Sequence, residues 1–397
     1  MSQENQSIKV TNELLNTWAT DSTGPVALHL KQKLLPVGVI DSEDKDEHLE
    51  QRVIFPPTYA DIGYNIDTLK DGTRVATIDS VGSQANRLEP VFKSESADRT
   101  NWLVPQIQIK LNNERTVSLL DLAHRAADAV VQSSPGLKKL TGAAFKSLQS
   151  GNAGPLCELA PTSLVFGVWD SRGDSGEKRP RLVRSIIRAW NVEPLHAAAQ
   201  FNSVWKALKQ DEQEELKKAV KEKDKEGKLS TVGLADSPAV FRKTKIKIPT
   251  VRDDGNPNPE ARVLGGVIAR GPVERQVTVN LIALRSLRGK DDPETNAIRK
   301  YLLGLSLMAA TADIELFLRE GCLLRYADEK DAWYQVPRRG TPTEITLGKS
   351  VIEQYVKGAA NHFRPKWPEK LEFEFDLKEA KKLSAKKTEE EAAPGGS

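Results

Sequence analysis

Apolar and polar residues alternate with a two-residue period along several short runs of this chain. Val26 to Pro36 alternates as a half-buried strand does, and residues 73–79 and Leu103 to Leu111 repeat the pattern. Val53 to Phe55, followed by Pro56, Pro57 and Tyr59, fits an edge strand, where a missing N–H is tolerated. Leu164 to Trp169 is an apolar, strand-like run that breaks into a polar loop at Asp170. Beyond that loop two periods compete. Leu182, Ile186 and Trp190 fit alternation, whereas Arg181, Arg184 and Arg188 share a helical face. Residues 240–249, 262–271 and 273–284 read as further strands, and Cys322 to Tyr326 with Trp333 to Val336 as a hairpin.

Helical spacing predicts a different set. A short helix surrounds Leu14, Leu15 and Trp18 and stops at Gly24-Pro25. Ser118 to Val131 carries the clearest amphipathic pattern, with Leu119, Leu122, Ala126 and Val130 on one face and Ser118 and Asp121 spaced as a capping box. Residues 136–162 read as a connection rich in small residues with some helix. Ile298 to Arg319 is expected as a central core helix and Val351 to Phe363 as a shorter one. Ser83 is a candidate N-cap for a helix from Gln84 to Phe92, limited by Pro90. The block from Lys206 to Lys228 holds eight lysines and seven acidic residues, which predicts a solvated helix laced by i,i+4 pairs. From Lys378 the composition predicts a disordered tail.

Composition adds bounds. The 397 residues are 39% hydrophobic, enough for a substantial core. That length corresponds to about two or three domains, or to one large domain with insertions. With 58 basic and 55 acidic residues the net charge is only +3, so any nucleic-acid surface must come from local clustering. Cys157 and Cys322 are far apart and form no CxxC, which predicts neither a disulfide framework nor a structural zinc site. The N-terminus lacks a signal-peptide pattern, and the longest apolar run, Tyr301 to Ala312, is too short to span a bilayer. These features predict a soluble cytoplasmic protein with no membrane partner.

The clustering that matters lies between Arg172 and Arg188, with six basic residues against two acidic ones around a glycine-containing loop. Such a loop suits a phosphate backbone, and it equally suits a solvated hairpin. The turn at Ser80, Gly82 and Ser83 offers helix-start N–H groups, with Asn86 and Arg87 close by; a plain capped helix accounts for the same residues. Basic residues also recur from 242 to 285, Arg270 and Arg275 among them. No P-loop, GxGxxG, HExxH or GxSxG pattern is present, so no catalytic residue, metal or cofactor is expected. His124 and Asp128, four apart, fit a solvent-side hydrogen bond better than a metal pair, because no third ligand is near. Asp170 reads as a turn-former, with a lone catalytic carboxylate as the alternative.

Four segments together resemble one family. They are Gly82-Ser-Gln-Ala-Asn-Arg-Leu-Glu, Asp121-Leu-Ala-His-Arg-Ala-Ala-Asp-Ala, Phe166-Gly-Val-Trp-Asp-Ser-Arg-Gly, and Leu303-Gly-Leu-Ser-Leu-Met-Ala-Ala-Thr-Ala-Asp with Leu318-Arg-Glu-Gly-Cys. In this order they resemble the Cas-seven-type backbone subunit, of the RAMP superfamily, of the type I-G (formerly I-U) CRISPR Cascade complex. The resemblance implies an α+β fold over residues 1–377: a modified ferredoxin-like, RRM-type palm with long insertions. It also implies a projecting β-hairpin thumb, best sought at 240–285 and next at 170–181. The charged helical insertion falls at about 195–235 and the tail at 378–397.

The implied role is non-catalytic. Copies would pack in a helical filament along a guide crRNA and present it to target DNA, beside a large subunit and a RAMP cap or processing subunit. A RAMP-type ribonuclease acting on guide or target RNA is the alternative. The residues expected on the RNA are Ser83, Asn86 and Arg87 at the helix start, Arg172, Lys178, Arg179, Arg181 and Arg184 along one wall, and Arg270 and Arg275 in the thumb region.

Overall fold

The computed structural model describes residues 7–40, 49–59, 62–112, 114–171, 175–197, 208–223, 263–327 and 331–392. Its centre is a large antiparallel sheet. In chain order the strands used below are β1 (Ala27–Pro36), β2 (Arg74–Asp79), β3 (Val183–Trp190), β4 (Val192–Ala197), β5 (Val263–Ala269), β6 (Val273–Asn280), β7 (Cys322–Tyr326) and β8 (Ala332–Val336). In space β8 lies beside β1, followed by β6, β3 and β2. β7 continues along the same edge of β1 as β8, pairing with Leu34 to Pro36 while β8 pairs with Ala27 to Lys31. The expected hairpin of these two strands is therefore two successive strands on one neighbour.

Alternation builds the layer. Leu28, Leu30 and Leu34 of β1, Val273, Val277 and Val279 of β6, and Val183, Ile187 and Ala189 of β3 are buried on one face. Helices cover that face: α1 (Asn12–Thr20), α2 (Val81–Leu88), α3 (Pro135–Gln149), α4 (Asp292–Thr311) and α5 (Lys349–Phe363). α4 packs on β6 and β3, with α1 and α5 against it. Gly304 lets α4 and α5 approach closely, since a Cβ there would lie 3.0 Å from the Val356 backbone.

Several sequence expectations change here. The helix expected over Ser118–Val131 is a series of turns. Ser118 caps one at Leu120, Arg125 takes a left-handed φ of 55°, and Asp128 caps the next at Val130. A left-handed residue cannot continue a right-handed helix. The long helix instead starts at Pro135, whose missing N–H is no loss at a helix start. α4 begins earlier than expected, capped by Asp291 on the Glu294 N–H, and ends at Thr311. Beyond it Ile314, Leu316 and Leu318 are buried in alternation, a strand signature that the apolar run conceals. Leu164 lies in a helical turn, Pro161–Val165, and only Val168–Trp169 are strand.

The region expected to be a thumb hairpin divides. Residues 240–262 lie outside the described residues. β5 and β6 do not pair with each other; β6 is central in the sheet, while β5 pairs with β4 and with Val53–Ile54. The antiparallel ribbon is β4 with β5, registered from Val192 opposite Ala269 to Ala197 opposite Val263. Of the charged insertion, Gln210–Lys223 is helical. The tail, expected to be disordered from Lys378, forms a helix, α6 (Leu377–Ala392). Asp376 caps it through the Lys378 N–H, and alanine, lysine and glutamate favour propagation.

Candidate nucleic-acid interface

The segments singled out in the sequence converge on α2. Ser80, in extended conformation, caps this helix by accepting from the Ser83 N–H at 3.3 Å. The expected cap, Ser83, is thus already inside the first turn, because the helix starts where β2 ends. Asn86 accepts from Arg125 at 3.3 Å. The Arg125 guanidinium is buried, with Nε 2.7 Å from Glu89 and its carbon 5.4 Å from the Phe166 ring centroid, and it also donates to the Gly167 carbonyl. Burial pushes the Glu89 carboxyl up to about 7, against the pull of Arg125 and of Thr162 beside it.

On the other side of α2, Arg87 lies 3.2 Å from the buried Asp79 and donates to the Leu318 carbonyl at 2.7 Å. Arg319 lies 3.3 Å from the other Asp79 oxygen. A buried polar chain runs on from there across the sheet. Gln84 donates to Asp79, Ser185 donates to Gln84, and Arg275 donates to Ser185 and Gln32. Arg275 is fully buried and reaches the Ala310 and Ala312 carbonyls as well. Two of the cations expected on RNA, the part-exposed Arg87 and the buried Arg275, therefore have hydrogen bonds committed inside the fold. A buried cation needs such partners, and nothing in a basic run shows which strands will surround it.

The outward cations lie elsewhere. Lys178 and Arg181 are exposed, and Arg179 is half-buried against Glu177 and the Leu148 carbonyl. Arg172 lies outside the described residues. Arg270 is paired with Glu193 at 2.7 Å beside the β4–β5 ribbon. Asp170 is buried and accepts from Ser175 at 2.5 Å, which closes the loop after β-strand residues 168–169. The His124–Asp128 link runs from the His124 backbone N–H to the Asp128 carboxylate at 3.1 Å.

Arg184 belongs to a surface that follows from alternation in β1, β3 and β6. On the face away from the helices, Tyr334, His29, Thr278 and Arg184 lie side by side across four strands. The next row holds Lys31 and Gln276, and the one after it Glu274 and Arg188. Lys31 and Arg184 are exposed, and Lys31 approaches Glu274 at 3.6 Å. Burial, then the charge of Lys31, holds the His29 imidazole below its ordinary value. The side chains of Arg181 and Arg184 make no hydrogen bond or ion pair among the described residues. Sequence reasoning placed Arg188 in the basic cluster but missed Lys31 and Tyr334, although the period-two reading of Val26–Pro36 already put Lys31 on the polar face.

This is an α+β scaffold with one face of its sheet under helices and the other carrying cations, a tyrosine and a histidine. No helix of the described residues is long and apolar enough to cross a membrane. Residues 45–194 match the sequence profile of the family described as CRISPR-associated protein GSU0053 (Cas_GSU0053), which supports a CRISPR-associated protein. No curated protein matches the chain.

Proposed function

We propose that the chain is a non-catalytic guide-RNA-binding backbone subunit of a type I-G Cascade, Cas-seven-type and of the RAMP superfamily. Copies pack along the crRNA spacer, join the large subunit and the RAMP cap or processing subunit, and leave base edges free to pair with target DNA in antiviral defence. The observation that carries this reading is the open sheet face. Lys31, Arg184 and Arg188 present charge beside Glu274 and Gln276, and contacts from such cations to phosphates suit binding of a guide whatever its sequence.

Two features support it. The strands β1, β3, β6 and β7/β8, taken as first to fourth in the chain, lie in the order fourth, first, third, second, which is the order of a ferredoxin-like palm. α2 and α3 lie on the connection between the first and second strands, and α4 on the connection between the third and fourth. The β4–β5 ribbon leaves this sheet, and residues 198–262 join its two strands, where a thumb would arise. The remaining cations of the interface are Lys178, Arg179 and Arg181, at the rim.

The test is reconstitution. The purified chain is expected to carry RNA of uniform length and to leave labelled precursor RNA uncut with or without magnesium. RNA-free assembly, or specific cleavage that Asp170→Ala abolishes, would overturn the reading.

A further inference from the structure

Among the tryptophans of the described residues Trp169 is the exposed one, Trp190 being half-buried. Trp18, Trp102, Trp333 and Trp367 are buried, whereas Trp169 is 58% exposed. Its backbone is nonetheless tightly held. Val168 pairs with Arg179 and Trp169 with Lys178. The Asp170 N–H donates to the Glu177 carbonyl at 2.8 Å, and Arg179 ties the second strand to Glu177 and to the Leu148 carbonyl. Two residues before Trp169, Gly167 has φ 80° and leaves room for the Arg181 side chain, whose Cγ would lie 2.7 Å from a Cβ at that position. Lys178 Nζ stands 5.2 Å from the Trp169 ring centroid. The result is an outward aromatic plane on a hydrogen-bonded strand pair, with the exposed Lys178 beside the ring and the exposed Arg181 packed at Gly167, two residues before it.

We propose that Trp169 is a stacking platform for an unpaired nucleobase of a single-stranded nucleic acid, with Lys178 and Arg181 meeting the phosphates on either side. The proposal rests on the nucleic-acid-binding reading and adds to it a contact that the cations alone do not provide. An aromatic face accepts any base, so it strengthens binding without reading sequence. A fixed backbone lowers the ordering cost of such a contact.

The test uses the full chain and three labelled strands of equal length: single-stranded RNA, RNA of the same length with its bases removed, and single-stranded DNA of the RNA's sequence. Trp169→Ala is expected to bind base-bearing strands about tenfold more weakly, with little change on the abasic strand, while Trp169→Phe keeps most of the affinity. Lys178→Ala should flatten the salt dependence on every strand that binds. Weakening confined to RNA assigns the guide as the stacked strand, and weakening confined to DNA assigns the target; either supports the proposal. Wild-type binding with Trp169→Ala unchanged overturns this proposal alone. Equal weakening on abasic and base-bearing strands also overturns it, since the indole would then serve the fold. If the wild type binds none of the strands at low salt, the functional reading falls and this one with it.

Discussion

Arg125 makes its contacts from a backbone conformation that a non-glycine residue rarely adopts, with φ 55°. It is held there by Glu89, Asn86, the Gly167 carbonyl and the Phe166 ring. Removing one partner of a buried ion pair strands the other, so Arg125→Ala should cost about 3–5 kcal/mol in chemical denaturation. Replacing both, as in Arg125→Met with Glu89→Leu, should recover a large part of that stability. Glu89 gives a pH signature. Its folded value of about 7 exceeds the 4.5 of an ordinary glutamate, so the native state holds the proton more tightly than the unfolded chain. The resulting stabilisation is complete below about 4.5 and disappears as pH rises through 7. Protonated Glu89 is neutral and shaped like glutamine, so melting temperatures of the wild type and Glu89→Gln should lie closest at the acid end and separate as pH rises through 7, the wild type falling. None of this was legible in the sequence. An arginine in a small-residue run gives no sign that its φ is positive or that its charge is buried.

At the scale of elements, period two was most legible where a strand has one covered and one open face, as in β1 and β6. β1, β2, β7 and β8 all lie where alternation puts them. The amphipathic pattern at Ser118–Val131 misled because successive capped turns can bury the same apolar side chains that a helix face would. Arg87 and Arg275 misled for a related reason: a basic residue on a strand or helix goes to water or to buried carbonyls according to what packs over it. α6 gives a test at this scale. Asp376 donates its backbone N–H to the Ser133 carbonyl, and Glu379 approaches Lys138 at 3.9 Å, but Leu377 is exposed. Truncation after Leu377 should therefore cost about 1 kcal/mol or less and leave RNA-dependent assembly intact, as read by thermal melting and size-exclusion chromatography.

For the whole molecule, a net charge of +3 means that attraction for a polyanion depends on placement and not on bulk charge. In the proposed role the open face and its rim supply that placement, while Arg125 and Arg275 are buried with partners inside the fold. Substituting Arg181 and Arg184 by alanine should thus weaken RNA binding and reduce the slope of log K against log salt by about 0.7 for each phosphate no longer neutralised. Melting temperature should barely move, since neither side chain has an internal partner among the described residues. Arg275→Ala should do the reverse and unfold the protein before any effect on salt dependence can be read.

The ribbon of β4 and β5 has a consequence for how the chain can change. The segment between them starts and finishes at one pair of facing residues, Ala197 opposite Val263. Its length is therefore uncoupled from the register of every other strand. The entropy of closing such a loop grows only with the logarithm of its length, about 0.6 kcal/mol for each doubling. Residues can be inserted or deleted between those strands while β3, β6 and β1 keep their pairings. A chain in which a short glycine turn replaces residues 200–260 should fold to the same sheet, with its far-ultraviolet circular dichroism reduced only by the excised part.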